Sequence, residues 1–595
     1  MPVPHRLTSL LALLVLPLTA LAASLGDAHS AFVRAHADSP IRWQAWGEEA
    51  FAAARAQDKP LYVLVGTLTH ELARAMREQS FTREETAAIV NESFIPVVVD
   101  RDEHPALAAF LQVYLDQAKQ MQGWPLNVWL TPELQPFDGA TYLPPTDEWG
   151  KEGFPNAVRR IAAAWQADPG AQRTRASDTL DTLAPFDGQT TLEVSDVRAA
   201  VAEGLDAWIG MSDPENGGFG DPPRRLEPEL LRFLLKHDEP TTRIAAVRTF
   251  RNAAGSPMRD PLDGGFFRST GDAAWQAPTL QKTLADQARA ALAYQAAGMD
   301  DVAQRALDYA LSLASPDFGY AAAEDSTTPG VATAFLWTTD QIGTALGGSA
   351  DTALLERLGV KPEGNLPADG FMDVDPKGKN LPRWTTLPVD QDTDALDRLR
   401  IARAKRAQPV RDQPATSGAH GLFLAALARS TEARHTAAAS KLAAFVLEKL
   451  IRPDGTLRSG PAFDTEASPR DYALVADGLL HHAAATGELD SRRVALALLQ
   501  TLDTRFLDPD TGRYAAAALP LPPGVALRLP PPAPDAGDLP SVESTTLLTS
   551  VTHDLGEPAK RAALAATIVG DIRNSPIHAR GDQLLALHAW LATLP

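Results

Sequence analysis

Near residue 168 the chain changes its sequence grammar, and that change constrains the fold more than any single motif. From about Trp43 to Trp165, apolar runs of strand length alternate with stretches of helix length. Beyond Asp168, long Ala/Leu-rich stretches recur in pairs. A chain of 595 residues is also too long for one ordinary core. Two units of different structural class are therefore expected, 24–168 and 169–595.

In the first unit GEEAFAAARAQ has the pattern of a short amphipathic helix, and PLYVLVG that of a strand buried on both faces. A helix is expected from His70 to about Gln79. Thr82-Arg83-Glu84-Glu85 carries capping-box spacing, which predicts a helix start before TAAIVNE. FIPVVVD reads as a second buried strand, and PALAAFLQVYLDQAKQM as a helix with Pro105 in its first turn. GWPLNVWL and FDGATYL read as a strand and its hairpin partner, and a last helix spans about Asn156 to Trp165. Helix-flanked parallel strands closed by an antiparallel pair make an α/β domain of thioredoxin type.

In the second unit the paired stretches include VSDVRAAVAEGLDAWIG with LEPELLRFLLKH, and PRDYALVADGLLHHAAATG with SRRVALALLQTLDTRF. Between pairs lie Gly/Pro/Asp-rich loops such as ENGGFGDPP and DPLDGGFFRSTGDAAWQAP, which hold most of the aromatics. About a dozen helices with so irregular a period argue for a closed ring of helical hairpins, an (α/α)6 toroid, over a solenoid. The segment Pro520–Pro540 is proline-rich and reads as a long surface loop.

Hydrophobic residues at 45% with 22% charged are those of a globular chain. A net charge of −20 would repel the phosphates of a nucleic acid or an anionic membrane, and leaves sugars, peptides and proteins as partners. Arg6, the apolar run Leu10–Leu18 and the small residues Ala20-Leu21-Ala22 read as a secretory signal peptide over 1–23. A periplasmic or secreted protein is expected, with no membrane anchor once the leader is removed. No nucleotide-binding loop or nucleophile elbow is present, and no cofactor is implied.

A long, ordered series of residues then resembles one family. His36-Ala37, Trp46-Gly47-Glu48-Glu49-Ala50-Phe51, Asp58-Lys59-Pro60, Val99-Asp100-Arg101-Asp102-Glu103 and Gly123-Trp124-Pro125-Leu126-Asn127 carry it in the first unit. Gly217-Gly218-Phe219-Gly220, Asp263-Gly264-Gly265-Phe266, Asp286-Gln287-Ala288, Ala323-Glu324-Asp325, Trp337-Thr338 and Asp471-Tyr472-Ala473 carry it in the second. The chain resembles the spermatogenesis-associated thioredoxin-like family, whose members join a thioredoxin-like domain to a six-hairpin toroid similar to that of glycosidases and N-acylglucosamine 2-epimerase. The resemblance implies that architecture here, and a cis proline at Trp124-Pro125 facing the redox motif.

That motif, Cys-His-Trp-Cys-His in the family, aligns His70 and Ala73 with the two cysteines. The chain contains no cysteine at all. Disulfide exchange needs an attacking thiolate and a leaving sulfur, and neither imidazole nor methyl supplies either. Thiol–disulfide chemistry is thus ruled out by composition. His70-Glu71-Leu72-Ala73-Arg74 begins like a helical zinc motif, but Arg74 stands where the second imidazole would be, so no metal is expected there.

For acid–base chemistry on a sugar, two carboxylates are needed. Asp286, Glu324, Asp325 and Asp471 are the catalytic candidates expected near the toroid rim. Asp263, Arg268, Trp275 and Trp337, with Trp124 and Pro125 in the first unit, are candidate ligand contacts, the tryptophans as stacking surfaces for a sugar ring. Each has a plain alternative: aspartates in Gly-rich loops make Asx-turns, Asp471 can be a first-turn helix charge, and tryptophans pack helices. Two readings follow. One is a redox-inactive binding protein for a carbohydrate or peptide, and the other is a toroid glycoside hydrolase or sugar epimerase.

Overall fold

The computed structural model describes residues 25–68, 70–183, 193–324, 332–348, 351–367, 374–386, 392–411, 413–508, 512–515, 539–556, 558–574 and 579–594. The expected leader, Asp325 and all but the end of Pro520–Pro540 lie outside the described residues.

Five strands form the first sheet: β1 (Gln44–Ala45), β2 (Leu61–Gly66), β3 (Ile95–Asp100), β4 (Leu126–Leu130) and β5 (Pro136–Ala140), in the order β1-β3-β2-β4-β5. β1 and β2 run parallel to β3, while β4 and β5 close the sheet antiparallel. Every residue of β2, β3 and β4 is buried, because helices cover both faces. The strand period of two sorts the side chains. Leu61, Val63 and Val65 enter one core with Ile95, Val97 and Val99, whereas Tyr62 and Leu64 enter the other with Val98 and Trp129.

After a single helical turn at Ala31–Arg34, the longer helices of this unit are α1 (Glu48–Gln57), α2 (Glu71–Ala75, continued by a π turn over Met76–Ser80), α3 (Glu84–Ser93), α4 (Pro105–Lys119), α5 (Phe154–Ala167) and α6 (Pro169–Thr182). The capping box expected at Thr82 does not form. Arg83 is the N-cap of α3, and the Thr82 hydroxyl donates instead to the Glu78 carbonyl at 3.2 Å. The domain boundary expected at 168 also moves. α6 packs on α5 and β5, and Ala176, Leu180 and Leu183 complete the cores of the first unit, so the α/β domain runs through residue 183.

Among the described residues, twelve helices form the ring of the second unit: α7 (Val194–Gly210), α8 (Pro228–Lys236), α9 (Pro240–Gly255), α10 (Leu284–Ala296), α11 (Asp300–Leu311), α12 (Ser417–Ala428), α13 (Ala433–Phe445), α14 (Pro469–Thr486), α15 (Leu489–Phe506), α16 (Val542–Thr552), α17 (Pro558–Asn574) and α18 (Gly581–Leu591). α8, α10, α12, α14, α16 and α18 touch one another in that sequence, and α18 returns to α8. α9, α11, α13, α15 and α17 lie outside them, and α7 pairs with α18 to complete the sixth hairpin. The ring is an (α/α)6 toroid closed by its first and last helices.

Sequence explains which helices go inside. All twelve residues of SGAHGLFLAALA in α12 are buried, as a helix apolar on every side requires. The outer α15 buries only the stripe Ser491, Ala495, Leu498, Leu502 and Phe506. Between α11 and α12 an insertion carries four helices, Ala332–Phe335, Thr339–Ala345, Thr352–Arg357 and Thr393–Ala404, over two small cores of its own.

Candidate functional site

The inner helices begin together at one end of the ring. The Gly418 N–H donates to Asp471 Oδ1 at 2.9 Å, joining the first turns of α12 and α14. Likewise the Ser541 N–H donates to Asp582 Oδ2 at 2.9 Å, joining those of α16 and α18. Acids favour helix N-termini, where their charge meets the positive end of the dipole, and Glu229, Asp286, Asp471, Glu543 and Asp582 all occupy first turns at this mouth.

Most of these acids are held by protein groups. Asp471 accepts from the Ser468 hydroxyl at 2.6 Å in a capping box and from Gly418, and burial raises its pKa. It is a structural cap with both oxygens engaged. Glu229 pairs with Arg289 through two nitrogens at 3.0 and 2.5 Å. Asp286 accepts from the Thr283 hydroxyl at 2.7 Å, and Arg268 stands 4.0 Å away, so the two lie together at the mouth with Asp286 partly open to solvent.

Glu324 is buried on a short strand that pairs with Lys282 and Thr283. Arg411 donates to its Oε1, while its Oε2 is buried beside the Tyr309 hydroxyl. Asp263 and Asp260 flank Lys282 Nζ at 2.9 and 3.0 Å, and Arg403 adds a second cation to the cluster. Asp263 is thus an ion-pair partner and not a free ligand contact.

Both candidate stacking residues are enclosed. Trp275 and Trp337 are each 1% exposed. Trp275 donates from its indole to the Asn216 carbonyl at 3.1 Å, and the Arg406 guanidinium lies 3.5 Å over the Trp337 ring. Neither ring has a free face for a sugar, because the insertion and rim loops pack around them.

In the first domain the Trp124–Pro125 bond is cis. Arg101 covers the buried Trp124 ring at 4.9 Å. His70 is the N-cap of α2 and is only partly exposed. Ala73 is 1% exposed in a core with Phe32, Met76 and Trp129, so the second sulfur position is filled by packing. The loop before His70 meets the toroid. Gln413 Nε2 donates to Thr67 Oγ1 at 3.0 Å and to Asp102 Oδ2 at 3.1 Å, and the Thr465 hydroxyl donates to the Glu103 carbonyl.

Inside the ring, Glu229, Arg232, Arg429, Asp477, His481 and Asp582 are among the residues lining a cavity of about 50 Å³. Cavities that enclose a small organic ligand are about 300–1,000 Å³, so this bore has room for waters only. The sequence reading missed Glu229, Glu543, Asp582, Asp477, His481 and His553. Asp477 and His481 carry only an i,i+4 spacing on α14, and the others meet their partners across helices distant in sequence.

Residues 22–184 match a family described as "Thioredox_DsbH: Protein of unknown function, DUF255". Over 568 residues the chain is 29% identical to spermatogenesis-associated protein 20 of Homo sapiens, covering 84% of this chain and 72% of that one. An uncharacterised protein of Caenorhabditis elegans is 26% identical over 543 residues, covering 81% and 74%. Among solved structures, a cellobiose 2-epimerase from Bacillus thermoamylovorans matches at 11% identity and a TM-score of 0.37, covering 67% of this chain and 98% of that one. A family 76 glycoside hydrolase from a bovine Bacteroides thetaiotaomicron strain matches at 7% and 0.34, covering 68% and 79%. These structural likenesses are slight, and the toroid assignment rests on the closed ring of helices.

Proposed function

We propose, from the premise that this chain belongs to the spermatogenesis-associated thioredoxin-like family and is a cysteine-free member of it, that it is an exported, redox-inactive binding protein for a carbohydrate or peptide. The carrying observation is the state of its acids. Asp471 is saturated as a cap, Glu324 is paired with Arg411, and Asp263 with Lys282 and Arg403. General acid–base catalysis on a sugar needs two carboxyl groups facing one substrate, and these three face protein cations and N–H groups. Redox inactivity follows from composition, since no residue can form a mixed disulfide. Export rests on the leader-like segment 1–23 alone.

Purified protein lacking residues 1–23 should leave insulin disulfides intact in a reductant-coupled assay, at the rate of a protein-free blank. The binding claim is tested by thermal shift with soluble oligosaccharides and unstructured peptides. A saturable rise in melting temperature with one class supports it, because a ligand of the native state raises apparent stability. No rise with either class removes it.

A second reading has one observation in its favour. Glu324 Oε2 and the Tyr309 hydroxyl are buried side by side at the same end of the toroid as the partly exposed Asp286. A carbohydrate-active enzyme would use Asp286 and Glu324, and Asp286→Asn would then abolish turnover without changing the melting temperature.

A further inference from the structure

We infer that Asp477, His481 and His553 form a binding site for a divalent first-row transition-metal ion of the zinc class, between the neighbouring inner helices α14 and α16 and away from the mouth. Asp477 and His481 are four residues apart on α14, which puts them on one face. His553 follows the last turn of the neighbouring inner helix α16 and meets them there, its ring edge to face with that of His481. One ligand atom from each lies within 4.8 Å of the others.

Distances decide between an ion site and a simple hydrogen-bonded cluster. Asp477 Oδ2 to His481 Nε2 is 3.7 Å, and Asp477 Oδ1 to His553 Nε2 is 4.0 Å. Both exceed hydrogen-bond length. Two ligand atoms on a tetrahedral zinc ion, with bonds of about 2.0–2.2 Å, stand about 3.3–3.6 Å apart, so a closure of a few tenths of an ångström on each side would seat an ion. His553 adds an independent sign. Its side chain is 8% exposed, and its Nε2 is buried without a hydrogen-bond partner. A buried ring nitrogen left unpaired carries a desolvation cost that a metal bond would remove.

The surroundings suit such a site. Thr549 Oγ1 donates to Asp477 Oδ1 at 2.8 Å, the type of outer contact that orients a ligating carboxylate. Two nitrogens and a carboxylate oxygen are a donor set that zinc accepts with one position open. Arg232 and Arg429 line the adjoining cavity and oppose a cation; the Asp477 charge offsets them in part. They also favour an anion, hydroxide or carboxylate, as the fourth ligand.

The test uses the chelator-treated full chain, titrated with Zn2+ by calorimetry and with Co2+ by visible absorption. One equivalent should bind, and Co2+ should develop the d–d bands of a low-coordinate nitrogen/oxygen site. Thr549→Val should weaken affinity about 10–100-fold, as loss of an outer contact does. His481→Ala with His553→Ala should abolish the bands while circular dichroism stays that of the parent. Absence of stoichiometric uptake by the parent chain would overturn the assignment, whatever the variants do. So would full retention of the bands in the folded double variant.

Discussion

Glu543, in the first turn of α16, is a carboxylic acid shut away from water, and burial with the nearby Asp571 charge pushes its pKa up to about 7. An unfolded glutamate titrates near 4.3. Between those values the folded chain holds a proton that the unfolded chain has released. Stability therefore falls as pH rises through that window and levels off above it. Glu543→Gln keeps the neutral shape, so it should match the parent near pH 4 and exceed it at pH 8 by roughly 3–4 kcal/mol. Urea unfolding at the two pH values checks both halves. Sequence could not have singled this residue out. Asp263, Asp286, Glu324 and Asp471 were visible because they stand in the family-like stretches DGGF, DQA, AED and DYA, whereas Glu543 lies in VESTTLL, which has no such stretch, and its burial depends on a closed ring.

At the scale of elements, the closest approach in the toroid is made by glycines. A Cβ on Gly478 of α14 would stand 2.2 Å from the Gly421 carbonyl oxygen of α12, and one on Gly421 would stand 2.5 Å from the Leu474 carbonyl oxygen. The two helices meet backbone to backbone, and backbone cannot yield as a flexible side chain can. Gly478→Ala should therefore lower stability by about 1–3 kcal/mol through overpacking, despite the better helix propensity of alanine. Thermal unfolding measures it, and an unchanged or raised midpoint would contradict the packing described. Helices and buried strands were largely legible, since periodicity is local: LYVLV, IPVVVD and LNVWL are strands close to where the pattern puts them. Ends were less so. The Thr82 box fails because its hydroxyl turns back to the preceding π turn, and α6 joins the first domain through Ala176, Leu180 and Leu183, a choice made by tertiary packing.

For the whole molecule, two features matter. The ring closes its first helices on its last, so the toroid is complete only when the far end of the chain is in place. The first domain also presents the loop that precedes the former redox position to the mouth, where Gln413 bridges Thr67 and Asp102. Gln413→Ala removes both bonds and leaves the Thr67 oxygen buried. It should destabilise the junction by about 1–3 kcal/mol and separate the melting of the two units in calorimetry. This arrangement makes the former redox face a structural contact and leaves any ligand to the mouth around Asp286 and Arg268. The account stands or falls on binding without turnover. The direct measurement is a screen for glycoside hydrolysis and sugar epimerisation using the parent chain and Asp286→Asn, with thermal melting recorded for both. The account predicts no turnover above a protein-free blank for either protein on any sugar that the parent binds. Turnover by the parent that disappears in an equally stable Asp286→Asn variant would contradict it.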